Sequence, residues 1–243
     1  MPSEVPLPVP PDRLGANLAR VREQIAQAAA KGGRAPESVT LVAVTKYVGL
    51  EEVRALLKLG VKDLGENRIQ PARPKIAALR EELAAAGARW RLIGHLQTNK
   101  ARWALEDFAT VDAVDSVHLL EALAKEARKL SRSRVPCLAE VNVSGEEQKY
   151  GLKAGELQAF LGRAAEFPEC EIAGLMAMAP LSENPEATSR PVFRALRELR
   201  DRANAQNWYP RPLTELSMGM TQDFAIAVEE GATLVRVGTA LYV

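Results

Sequence analysis

Cysteine and histidine are scarce in this sequence, with two of each in 243 residues. Cys137 follows Pro136 and Cys170 lies in ECEIAGL, both strand-like contexts without metal-ligand spacing. No metal site and no disulfide framework are therefore expected, and the thiols read as reduced core residues of a cytoplasmic protein. No apolar run approaches the ~18 residues of a membrane span, and no basic-then-apolar signal opens the chain. Net charge is also missing: 32 basic residues face 31 acidic ones, leaving +1. No global field draws in nucleic acid or an anionic membrane, so any anion site must be built locally. A Gly-x-Gly-x-x-Gly turn after the first strand is absent too, which argues against an open dinucleotide-binding sheet.

What is present is ample core material, 47% hydrophobic residues, beside 26% charged residues for the surface. MPSEVPLPVPP holds five of the 15 prolines, so residues 1–11 read as a flexible extended arm. Asp12 is placed to cap a helix from about Arg13 to Lys31, with Leu14, Leu18, Val21 and Ile25 at helical spacing. From there strand-like runs at 39–45, 61–65, 89–94, 110–115, 135–143, 170–178, 213–218 and 233–238 alternate with helical stretches. Strict alternation predicts a parallel sheet, and eight units in this length predict closure. The expectation is an α/β fold, a single (β/α)8 TIM-like barrel over 12–243 with an extra N-terminal helix.

In such a barrel, chemistry sits at the C-terminal ends of the strands. Polar residues gather there: Lys46 after the first strand, Glu66 and Asn67 after the second, His95, Gln97, Asn99 and Lys100 after the third. The last two loops, SMGMT and RVGT, stand where barrels often bind phosphate. Ser217 offers a hydroxyl, Gly219 permits close backbone approach, and Thr221 is placed to cap the next helix. Gly238 and Thr239 offer amides and a second hydroxyl. A lysine at a strand end is either a snorkelling rim residue or a partly desolvated amine able to attack an aldehyde. Lysine and a phosphate cradle on one rim suggest a phosphorylated aldehyde; pyridoxal 5′-phosphate (PLP) fits, and so does a sugar-phosphate lyase substrate.

The runs LVAVTK, LGENRIQ, LIGHLQTNK, VNVSGEEQKYGL, GLMAMAP and LSMGMTQDFAIAVEEGATLVRVGTAL together resemble the pyridoxal phosphate homeostasis proteins. That family's members are single-domain barrels similar to the N-terminal domain of alanine racemase. The resemblance implies a Schiff base between PLP and Lys46. It implies a phosphate cup from Ser217, Gly219, Gly238 and Thr239, with Arg236 facing the pyridine nitrogen and Asn67 near the ring hydroxyl. His95, Met176 and Met178 would line the pocket. Two departures stand out: Pro71 replaces the usual acidic residue after the Gln of the second-strand motif, and the chain ends ALYV rather than in an aromatic and glycine.

An arginine opposite the ring nitrogen cannot take up its proton, so the ring would be a weak electron sink, better suited to holding the cofactor than to using it. Racemases draw a second acid/base from an appended β-domain, whereas this sequence stops shortly after its last strand. The resemblance thus implies a PLP carrier serving apo PLP-enzymes, not an enzyme; the lack of a long exposed apolar segment adds the expectation of a monomer, as the reduced thiols do that of the cytoplasm. The alternative is a PLP-dependent amino-acid racemase of fold type III.

Overall fold

The computed structural model describes residues 8–146, 148 and 150–243. Its leading helix α1 (Pro11–Lys31) buries Leu14, Leu18, Val21 and Ile25 along one stripe, as their spacing predicts. Each such fully buried aliphatic contributes about 1.5–3 kcal/mol. The helix begins at Pro11, earlier than expected, because proline's fixed φ suits the first turn; Asp12 sits inside that turn rather than capping it. Asn17 Nδ2 donates to the carbonyls of Leu241 and Val243 at 3.1 Å each, so α1 clamps the chain's end.

Eight parallel strands follow the sequence runs: β1 (Thr40–Val44), β2 (Asp63–Glu66), β3 (Arg89–Leu92), β4 (Thr110–Val114), β5 (Val135–Asn142), β7 (Cys170–Met176), β8 (Glu215–Ser217) and β9 (Leu234–Val237). A ninth, β6 (Leu152–Lys153), is a two-residue addition beside β5. Neighbours pair in parallel from β4 back to β1, then on through β9, β8 and β7 to β5, and β4 pairs with β5 to close the barrel. β2, β4 and β9 are buried along their whole length, as strands covered on both faces must be. The cover consists of α2 (Leu50–Lys58), α3 (Ile69–Ala78), α4 (Arg80–Ala86), α5 (Ala101–Asp107), α6 (Val117–Lys129), α7 (Leu157–Ala164), α8 (Pro185–Ala205), α9 (Phe224–Glu229) and α10 (Thr239–Tyr242). The helical stretch between the second and third strand runs is two helices, divided at Leu79.

Two cores result. The larger lies between strands and helices; Ala113, Leu138 and Met176 form a separate cluster inside the barrel. Nearer the N-terminal ends of the strands, Arg91 on β3 is 2% exposed and pairs with Asp63, Asp112 and Glu215 at 2.7–3.2 Å. Residues 1–7, most of the expected arm, lie outside the described residues. Its last part is held: Val9 is buried, and its amide donates to Glu52 Oε1 at 3.1 Å. No helix among the described residues is long and apolar enough to cross a membrane.

Candidate functional site

A cleft of about 500 Å³ opens at the C-terminal ends of the strands, lined by Lys46, Asn67, His95, Tyr150, Met178 and Arg236 among others. A larger hollow of about 680 Å³ lies against α1 and the opposite ends of β1 and β2. Its acidic members are Glu37, which is exposed, and Asp63, already paired with Arg89 and Arg91, so the smaller cleft is the chemically equipped one.

Lys46 lies two residues past the end of β1, and the residue before it is fixed from three sides. The Thr45 amide donates to Gly65 O at 3.0 Å, and its hydroxyl donates to Glu66 Oε1 at 2.7 Å. Lys75 Nζ on α3 donates to both Thr45 O and Glu66 Oε1, at 2.7 and 2.9 Å. One residue earlier, Val44 O accepts from the hydroxyl of Tyr242 at 2.9 Å. The Lys46 side chain itself is exposed, its amine 4.8 Å from the centre of the Tyr47 ring. Of the two readings of a strand-end lysine, the exposed side chain fits the rim residue whose amine reaches water rather than the partly desolvated amine.

Arg236, on the inner face of β9, is 4% exposed and reaches across to β7 and β8. Its Nη1 donates to Ser217 Oγ at 2.7 Å and its Nη2 to Ala177 O at 2.9 Å. Both acceptors are neutral, and burial draws the guanidinium pKa down, with Asp112, Glu140 and Asp223 opposing through space. Ser217 is fully buried beneath this arginine and holds it, rather than standing at the cleft surface. Gly219 has φ +90°, and a Cβ there would lie 2.5 Å from Ala227 Cβ and 2.9 Å from Phe224 Cα. Only glycine lets this loop pass so close to α9. Thr221 does not cap α9; its hydroxyl accepts from the Ala240 amide at 3.4 Å and ties the loop after β8 to the loop after β9. The loop's own cap is Asp223, which accepts from the Met220 amide at 2.7 Å and from the Ser189 hydroxyl at 2.9 Å. Gly238 and Thr239 begin α10, with Thr239 exposed.

The cleft thus brings together Lys46, Asn67, His95, Met178 and Arg236, while Gly219, Gly238 and Thr239 sit on its flanking loops. Met176 does not reach it, being fully buried within the barrel. The loops bearing Asn67 and Gly94 abut so tightly that a Cβ on Gly94 would meet Asn67 O at 2.3 Å. Three participants escaped sequence reasoning. Tyr150 stacks on His95 with ring centres 4.0 Å apart, and Asp115 Oδ2 lies 3.2 Å from His95 Nδ1. Glu140 is 3% exposed on the inner face of β5, and desolvation, reinforced by Asp115, pushes its carboxyl up to about 7. A carboxylate inside the apolar run VPCLAEVNV was the available signal for the last. Among the described residues, no group of three or more His, Cys, Asp or Glu could hold a metal ion.

Residues 14–243 match the family model described as alanine racemase, N-terminal domain. The pyridoxal phosphate homeostasis protein of Aquifex aeolicus is 39% identical over 225 residues, covering 93% of this chain and 95% of that one. The chain belongs to the pyridoxal phosphate homeostasis protein family. A solved member of similar length, PipY of Synechococcus elongatus with PLP bound, superposes with a TM-score of 0.81 at 34% identity, covering 95% of this chain and 100% of PipY. Alanine racemase from Corynebacterium glutamicum superposes at 0.68 with 13% identity, covering 96% of this chain but 61% of the racemase. That likeness shows the fold alone.

Proposed function

We propose that this chain binds pyridoxal 5′-phosphate at the rim cleft and serves in intracellular PLP homeostasis as a carrier rather than a turnover catalyst. The observation that carries this reading is the presence of an amine, Lys46, and a buried cation, Arg236, in the lining of one cleft. PLP supplies an aldehyde that condenses with a lysine amine and a phosphate that needs several donors. Lys46 provides the amine, on a backbone immobilised one residue away by Glu66 and Lys75. The Gly238 and Thr239 amides, the Thr239 hydroxyl and the close-passing Gly219 backbone provide the phosphate cup. Ser217 contributes by holding Arg236, and Arg236 faces the ring nitrogen, to which it can only donate. Asn67 serves the ring hydroxyl side, His95 and Met178 form walls, and Met176 supports the floor from below.

A carrier role accords with the open setting of Lys46, which leaves the reacting amine in water and weakens electrostatic catalysis. Residues 12–243 form the working unit, monomeric and cytoplasmic, with apo PLP-enzymes as recipients. The test is borohydride reduction of the PLP-loaded protein followed by peptide mass mapping. The adduct is expected on Lys46 and is expected to vanish in Lys46→Ala, with the fold retained because that side chain is exposed. An adduct elsewhere, or none, overturns the assignment. Exchange of an amino acid's α-hydrogen with solvent deuterium, dependent on Lys46, would instead establish the racemase reading.

A further inference from the structure

Four buried side-chain atoms among the described residues lack a hydrogen-bond partner: Trp90 Nε1, Asp107 Oδ2, Glu140 Oε2 and Glu169 Oε2. Asp107 and Glu169 have ion pairs with Arg73 and Arg128. Among the described residues Glu140 has neither hydrogen bond nor ion pair, which is costly for a buried carboxyl and asks for an explanation. It lies two residues beyond Leu138 on the inner face of β5, opposite Met176 in the ladder. Arg236 bonds to the carbonyl of Ala177, the residue after Met176, so acid and guanidinium share the level where the barrel opens into the cleft.

Among the described residues, the charged groups around Glu140 are few. Asp115 lies just past the end of β4 and Asp112 lower down on that strand; β9 contributes Arg236; Arg91 on β3 and Asp223 after β8 act on that arginine through space. On the inner faces, β7 and β8 contribute Met176 and Ser217, and β6 ends in the exposed Lys153. Arg236 is therefore a buried cation bonded only to neutral acceptors, and its charge is balanced or left open according to the state of Glu140.

We infer that Glu140 is a proton-holding positioning residue that sets the charge beneath the cleft and thereby the retention of a phosphorylated pyridine. Neutral, it leaves the Arg236 cation uncompensated and the cleft favourable to an anion. Ionised, it draws the guanidinium to itself, cancels that field and weakens retention. Desolvation holds the carboxyl at about 7, so this change falls within the ordinary intracellular range. The sign follows from linkage: a ligand that prefers the neutral acid is bound together with a proton and is released as pH rises through 7.

This inference rests on the PLP reading. Covalent attachment has a pH dependence of its own, so the probe is pyridoxine 5′-phosphate, which carries an alcohol in place of the aldehyde. Its dissociation constant is measured from pH 6 to 8.5 by calorimetry for the wild type and for the nearly isosteric Glu140→Gln, each checked for fold by circular dichroism. The two are expected to bind alike at pH 6. Above pH 7 the wild type is expected to weaken relative to the variant by up to about tenfold per pH unit, the limit for one coupled proton. Infrared spectra of the ligand-free protein are expected to show a protonated carboxyl lost between pH 6 and 8, and absent in Glu140→Gln. Superimposable binding profiles, an offset equal at every pH, or a carboxyl titrating near pH 4.5 overturns the inference while leaving the PLP site standing. Absence of binding by either protein overturns both.

Discussion

Replacing Lys75 with methionine isolates what holds Lys46 in place. The two side chains are of similar length, so packing is largely kept while the ammonium is removed. That ammonium donates to Glu66 Oε1 at 2.9 Å and to Thr45 O at 2.7 Å, with side-chain exposures of 13% for Lys75 and 3% for Glu66. Without it, Glu66 is a buried carboxylate left with the Thr45 hydroxyl, and Thr45 O loses its bond. Breaking one partner of a buried pair costs about 3–5 kcal/mol. The surviving hydroxyl bond places this case at the lower end, about 3 kcal/mol. For a domain of this size each kcal/mol shifts Tm by about 2–4 °C, so a fall of about 6–12 °C is expected. Urea unfolding measures the loss directly. The double variant Lys75→Met, Glu66→Gln removes the orphaned charge and should recover at least half of it. A loss below about 1 kcal/mol, or a double variant no better than the single one, would refute the claim that this pair anchors the strand end.

Gly219→Ala forces a side chain onto a +90° φ and against Ala227, so a cost of about 2–4 kcal/mol and weakened phosphate retention are expected; scanning calorimetry showing an unchanged Tm would contradict the close approach. Ser217→Ala takes away a neutral acceptor from the buried Arg236, with an expected loss of about 1–3 kcal/mol, whereas Thr239→Ala at an exposed position should weaken PLP retention yet leave unfolding within about 0.5 kcal/mol of wild type. Glu140 has a folded-state pKa raised to about 7 from an ordinary 4.5, so its contribution is most favourable below pH 4.5 and is lost as pH climbs to 7. Glu140→Gln should therefore match the wild type in acid and exceed it by up to about 3 kcal/mol above pH 7, and an advantage independent of pH would exclude the raised pKa.

The barrel was legible because its signal is repeated: each apolar run of strand length is followed by a stretch of helical period, and parallel strands buried on both faces allow few other readings. The rim was legible for a related reason, since residues just past a strand must lie at the barrel's mouth wherever the helices run. Lys46, Asn67 and the loops after β8 and β9 were placed at the rim this way. What escaped depends on direction or on distant partners. Met176 was taken for a wall of the pocket, but it ends a run of three buried residues, Gly174 to Met176, that carries no alternation to reveal that it points into the barrel. Ser217 ends β8 at the expected place, yet its hydroxyl accepts from an arginine 19 positions away, a pairing with no local trace. The same holds for Thr221, whose partner is the amide of Ala240 rather than the helix it precedes. β6 is two residues long and has no pattern to read. The break at Leu79 lies in a stretch whose composition favours helix on both sides, so only packing decides it.

The two arginines inside the barrel show how one architecture separates stability from binding. Burial alone would depress both. Near the N-terminal ends of the strands, Asp112, Glu215 and Asp63 outweigh that penalty, and the Arg91 pKa is raised instead. Its charge is engaged by three acids in stitching β2, β3, β4 and β8 together. Toward the C-terminal ends, Arg236 has no bonded acid, and its pKa is lowered. The free energy forgone by leaving it uncompensated is the free energy an incoming anion can recover. A carboxylate bonded to Arg236 would make the empty barrel more stable and the cleft a poorer phosphate site. Glu140, close enough to act on Arg236 through space but not bonded to it, stands between these two arrangements, and its protonation decides which one the cleft approaches.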